Sequence, residues 1–92
     1  MKDKVSGMLG LAERAGKLIS GETKVLDAIR SGKAELVILA TDASDNTKKM
    51  FHDKCSFYGI PYYEHGVKSD FGHTDMAVSD KNFSEAIRRL LG

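Results

Sequence analysis

Apolar positions along the chain change their period several times, and each change marks a new element. From about Lys2 to Ala15, Val5, Met8, Leu9 and Ala12 fall on one helical face, and Gly16 is placed to end that helix. Lys17–Ser20 is too short for a helix and reads as an edge strand, with Ser20 as the N-cap of the next helix. That second helix, over about Gly21–Ser31, turns Val25, Ala28 and Ile29 inward and stops at Gly32. Glu35–Ala40 contains an unbroken apolar run, the pattern of a central strand covered on both faces in a parallel or mixed sheet.

Asp42 or Ser44 is positioned to cap a third helix over about Asp45–Tyr58, with Met50, Phe51, Cys55 and Tyr58 facing inward. Gly59 closes it, and Ile60–Glu64 returns as a strand with Pro61 near its start, where a missing N–H is tolerated. Val67–Gly72 reads as a short helix or turn and Asp75–Ser79 as a last strand. Phe83, Ala86, Ile87, Leu90 and Leu91 mark a closing amphipathic helix that leaves Arg88 and Arg89 in solvent. The expected fold is α/β, a three-layer α/β/α sandwich around a small mixed sheet of about four strands.

Length and charge narrow the function classes. Ninety-two residues suit one domain, 1–92, because two separate cores would each approach the size that needs metals or disulfides. The lone Cys55 excludes an intramolecular disulfide, and no apolar leader follows Met1–Lys4, so the expected setting is cytoplasmic. No stretch reaches the length of a membrane span, and no membrane partner is expected. The net charge of +1 does not announce a nucleic-acid partner, so any such surface must arise by local sorting of charge. Lys17–Lys33 is such a place, with four basic and two acidic side chains.

The most informative local feature is Ile19-Ser20-Gly21-Glu22-Thr23-Lys24, where a short strand feeds directly into a helix. A helix start leaves backbone N–H groups unpaired at the positive end of the macrodipole. Gly21 permits close approach and Lys24 adds charge, so the place suits a phosphate or an electron-rich base edge. Many helix starts of this composition bind nothing, and the order of the surrounding pieces matters more.

That order is a glycine helix start, Gly32, the buried strand Leu36–Ala40, Asp42, then Cys55, Gly59-Ile60-Pro61-Tyr62 and the loop His65–Gly72. Nearly the whole chain thereby resembles the L-seven-Ae/L-thirty-e ribosomal protein superfamily. Leu9-Gly10-Leu11-Ala12, Ile19-Ser20-Gly21-Glu22, Gly32-Lys33-Ala34, Asp42-Ala43-Ser44 and Asp53–Tyr58 look most like its bacterial YlxQ-type members. The resemblance implies a non-catalytic protein that binds kink-turn RNA, with structured RNA as partner, ribosomal RNA among the candidates, and neither DNA nor a cofactor.

It also implies where RNA contacts lie. The family's Gly-x-Asn-Glu-like motif, which reads sheared G·A pairs, aligns with Gly21, Glu22, Thr23 and Lys24. Gly21 matches; Thr23 and Lys24 replace Asn and Glu, and Asp27 stands where Lys is common. Thr offers one hydroxyl where an amide offers a donor and an acceptor, and Lys only donates. Asp27 puts negative charge near the implied phosphate path, for Lys24 or Lys17 to offset. The family's apolar second contact region aligns with His65, Gly66, Val67 and Lys68: a ring to stack, an approach point, a cover and a phosphate contact. Both regions are expected beside each other at one end of the sheet, with Lys17, Arg30 and Lys33 widening the positive rim.

Plainer readings compete. His52 and Cys55 have a metal-ligand spacing on a helix, yet only His65 and His73 remain to complete a site, so no metal is expected and Cys55 reads as a small core residue. No nucleophile elbow, zinc-protease helix or P-loop supports an enzyme. Gly7 and Gly10 suit close helix packing, Tyr62 or Tyr58 suits the core, and Lys48 and Lys49 suit a solvated face. A protein–protein interaction module of the same fold is the alternative function.

Overall fold

Leu36–Leu39, the central strand of the computed structural model, is buried at every position. Its side chains point alternately into two separate cores, as the period of a strand requires. Val37 and Leu39 join one cluster with Val25, Ile29 and Phe51. Leu36 and Ile38 join the other with Val5, Leu9, Met76, Val78 and Ile87. Residues 3–92 are described, so Lys2, at the sequence-based start of the first helix, lies outside them.

The elements run α1 (Lys4–Arg14), β1 (Leu18–Ser20), α2 (Glu22–Arg30), β2 (Leu36–Leu39), α3 (Asp45–Tyr58), β3 (Tyr62–Glu64), α4 (Lys68–Phe71), β4 (Asp75–Val78) and α5 (Lys81–Leu91). The sheet has four strands in the order β1-β4-β2-β3. β4 pairs antiparallel with both β1 and β2, and β2 pairs parallel with β3. Helices α2 and α3 cover one face, and α1 and α5 the other. This is the expected α/β/α sandwich around a mixed sheet. No helix among the described residues is long and apolar enough to cross a membrane.

Local chemistry sets the helix starts and corrects two sequence-based assignments, the Ser20 cap and the inward-facing Tyr58. Asp3 is the N-cap of α1, accepting from the Ser6 N–H at 2.8 Å. Gly21, not Ser20, is the N-cap of α2: at φ 98° the chain turns from strand to helix in one residue, a conformation that favours glycine. Ser44 rather than Asp42 caps α3, accepting from the Thr47 N–H at 3.2 Å. Tyr58 is exposed instead of buried, because Ile60, arriving after the left-handed turn at Gly59, packs against that side of the core.

Candidate functional site

Strand pairing brings the candidate loops to one end of the sheet. β1, β2 and β3 all finish there, where β4 begins: Leu39 pairs with both Glu64 and Asp75, and Ser20 with Met76. Just beyond, the Gly21 N–H donates to the Asp75 carbonyl, the Ala40 N–H to the Thr74 carbonyl and the His65 N–H to the Leu39 carbonyl. Gly21 and His65 therefore share this end but stand on opposite edges, three strand spacings or about 14 Å apart. Thr41, Asp42, His73 and Thr74 fill the strip between them.

The opening of α2 is built mostly from donors. No side-chain hydrogen bond caps it among the described residues, so its first-turn N–H groups keep their polarity outward. Glu22, Thr23 and Lys24 are all exposed, and they line an open depression with Ser20, Gly21 and His73. The Thr23 hydroxyl and the Lys24 ammonium add donors to those amides, while Glu22 is the acidic acceptor of the set. Beneath them lies Asp75, which is 7% exposed, and its Oδ2 has no hydrogen-bond partner among the described residues. Burial, then the nearby Glu22 charge, raise its pKa above the ordinary carboxylate value; its own backbone N–H and His73 pull the other way.

The second region is held rigidly by groups the sequence did not single out for this role. The Thr41 N–H and hydroxyl both donate to the Gly66 carbonyl, at 2.8 and 2.7 Å. The Lys68 N–H donates to Asp42 at 3.0 Å and the Val67 N–H to Asp70 at 3.1 Å. Asp42, considered as a cap for α3, thus secures the start of α4 instead. Gly66 has φ 69°, and a Cβ there would lie 2.6 Å from the Phe71 ring. Its missing side chain makes room for Phe71, and its carbonyl is already engaged, so close backbone approach is not what this glycine provides.

His65 is anchored by Asp3, whose carboxylate lies 2.6 Å from Nε2. Asp3 therefore joins the first turn of α1 to the loop after β3, and its pKa is lowered by the Ser6 N–H and then by His65. Val67 and Lys68 remain exposed, an apolar side chain beside a cation. The signal for Thr41, Asp42 and Asp3 was a small polar residue at an element boundary; which element each would serve depends on pairings distant in sequence.

Lys17, Arg30 and Lys33 are not brought to this end. Lys17 precedes β1, where its carbonyl accepts from the Ser79 N–H at the far end of the sheet. Arg30 closes α2, about 14 Å along the helix from its start. Its guanidinium pairs with Asp27 at 2.7 Å, so Arg30, rather than Lys24 or Lys17, offsets that acid. Lys33 lines a depression on the flank of α2 that also includes Lys24 and Asp27, which makes Lys24 the link between that flank and the opening.

The remaining reactive groups serve packing. Cys55 is buried, and burial pushes its thiol up to about 11. His52 is exposed with its ring edge-on to Tyr62, and no group of three His, Cys, Asp or Glu among the described residues is arranged to hold a metal. Lys48 is not fully solvated: it lies 3.6 Å from Glu64, which also accepts from the Tyr62 hydroxyl.

Comparison with known proteins bears on this arrangement. The model of the ribosomal protein L7Ae/L30e/S12e/Gadd45 family matches residues 3–75. The chain is 40% identical over 91% of both lengths to a Bacillus subtilis (strain 168) protein named RNA-binding protein YlxQ. A protein of the same name from Enterococcus faecium is 49% identical over 68% of this chain and 61% of its own. A solved structure of a Bacillus halodurans protein of unknown function superposes with TM-score 0.94 at 36% identity, covering 98% of each chain. The Giardia lamblia 15.5kD RNA binding protein superposes with TM-score 0.78, covering all of this chain and 88% of its own; at 20% identity it speaks for the fold alone.

Proposed function

Because the chain belongs to the ribosomal protein L7Ae/L30e/S12e/Gadd45 family, we propose that it is a non-catalytic RNA-binding protein acting as one domain in the cytosol. Its partner is a kink-turn or similarly structured RNA, ribosomal RNA among them, held between the α2 opening and the His65–Lys68 loop. The observation that carries this reading is the uncapped, donor-rich first turn of α2 at the same sheet end as the rigid loop. Backbone amides, Thr23 and Lys24 suit phosphate oxygens and the O6 and N7 acceptors of guanine, while Glu22 accepts from amino groups. Asn and Glu at positions 23 and 24 would mix donors and acceptors; Thr23 and Lys24 shift the balance toward acceptor-rich targets.

A gel-shift titration against a kink-turn RNA and a straight duplex tests the proposal. Tighter binding to the kink-turn is expected, with log affinity falling against log salt by about 0.7 to 0.9 per phosphate neutralised. Equal affinity for the two RNAs would contradict structured recognition. One observation favours a second reading, a protein-contact module: Phe57 is 81% exposed and stacks edge-on with Tyr58 at 5.0 Å, on the surface of α3. Indifference to both RNAs at low salt would support that reading.

A further inference from the structure

The edge strand β3 runs from Tyr63 through Glu64 into His65, so the candidate loop continues without a break into a different surface. There Tyr63, Glu85, Arg88, Arg89 and Gly92 line an open depression between β3 and the last turns of α5. The Tyr63 ring is half-buried against the second core cluster, which fixes it before any ligand arrives. Arg88 and Arg89 are exposed, and neither forms an ion pair among the described residues, although Glu85 stands one turn away. Two guanidiniums at a helix C-terminus offset its carbonyl charge. That role needs no aromatic neighbour and leaves their planar forks free for phosphate.

We propose that the RNA surface extends around the β3 edge, where a single-stranded stretch flanking the structured RNA stacks a base on Tyr63 and passes its backbone along Arg88 and Arg89. This inference rests on the RNA-binding reading. A single strand fits because a base in a duplex does not offer its face, and stacking on a fixed ring beside cations is the usual way unpaired bases are held. Tyr63 lies two residues from His65, about 7 Å along the strand, so one backbone can serve both places.

The test uses two probes: a kink-turn RNA with a single-stranded extension of about 8 nucleotides at each end, and the same RNA trimmed. The parent is expected to bind the extended RNA more tightly. Arg88→Gln with Arg89→Gln should lower the salt slope by about 0.7 to 1.4 on the extended RNA, for one or two phosphates lost, and leave the trimmed RNA unaffected. Tyr63→Leu should lose at least about 5-fold in affinity on the extended RNA alone; if it melts early, the arginine variants decide. Equal parent affinity for both probes, or an unchanged slope in the double variant, overturns the proposal. Lys24→Glu separates the two readings, since it should weaken both probes equally. If it does so while the arginine variants match the parent, only the extension is wrong. If the parent ignores both RNAs and binds an acidic peptide such as polyglutamate through these arginines, both readings fall.

Discussion

The two ends of the sheet both carry cations, yet they place them against different backbone. At one end strands finish and α2 begins, so Lys24 stands beside amide donors left open by an uncapped helix start. At the other end α2 finishes and strands begin, so Arg30 and Lys33 stand beside helix carbonyls. There a cation complements its own helix, and Arg30 is further occupied by Asp27. Lys17 and Lys24 are seven residues apart in the chain and lie at opposite ends of β1 and its turn. Positive charge alone does not locate a binding surface; the direction of the backbone beneath it does.

The most severe way to break this comparison is to remove the sheet that separates the ends. Val37 is fully buried in β2, and Val37→Asp would place a carboxylate there without a partner. The expected outcome is an unfolded chain by circular dichroism; a melting temperature like the parent's would contradict the assignment of β2 as the core strand. Next comes a charge reversal at each end. Lys24→Glu should weaken RNA binding by roughly tenfold or more, a loss of about 1.4 kcal/mol, while Lys33→Glu and Lys17→Glu stay within about twofold. Equal losses from all three would mean that the ends do not differ.

Two acids at the candidate end sharpen the picture through pH. Burial raises the Asp75 pKa, so its protonated form is favoured in the fold. Its contribution is therefore intact below the ordinary carboxylate value, about 3.9, and is lost as pH rises through the raised value. Asp75→Asn, which removes the buried charge beside Glu22, should then raise the melting temperature at neutral pH and change little in acid. Melts at both pH values check this; a lower melting temperature at neutral pH would show that the ionised carboxylate has a stabilising partner.

Asp3 has the opposite sign. Its pKa is lowered by the Ser6 N–H and His65, so its contribution is present above the unfolded carboxylate value and fades as pH falls through the depressed one. Asp3→Ala should cost about 1 kcal/mol through the lost cap, seen as a drop of about 4 to 8 °C in melting temperature. It should also loosen His65. An unchanged melting temperature would show that the cap is dispensable.

Hydrophobic period was enough to find the elements whose buried face is regular, Val5, Leu9 and Ala12 on α1 and the unbroken Leu36–Leu39 on β2. It left α4, which buries no residue, as a short helix or turn. Caps were less legible, since Ser20 and Asp42 have the right chemistry and the decisive factor was chain direction. Gly21 had to turn a strand into a helix in one step, and Asp42 found a closer donor in Lys68. The exposed first turn of α2 could be read from local sequence alone. Its separation from His65 could not, because two strands that intervene in the sheet, β4 and β2, come later in the chain. Nor could Asp75: a carboxylate opening a strand gives no hint that Glu22 will sit above it.

The most direct test tracks backbone amide resonances while a kink-turn RNA is added to the labelled protein. The expected shifts concentrate at Gly21–Lys24, Thr41–Asp42 and His65–Lys68, with Arg30, Lys33 and Tyr58 little changed. Shifts gathered instead around Arg30, Lys33 and Tyr58 would place the RNA at the wrong end of the sheet and contradict the assignment.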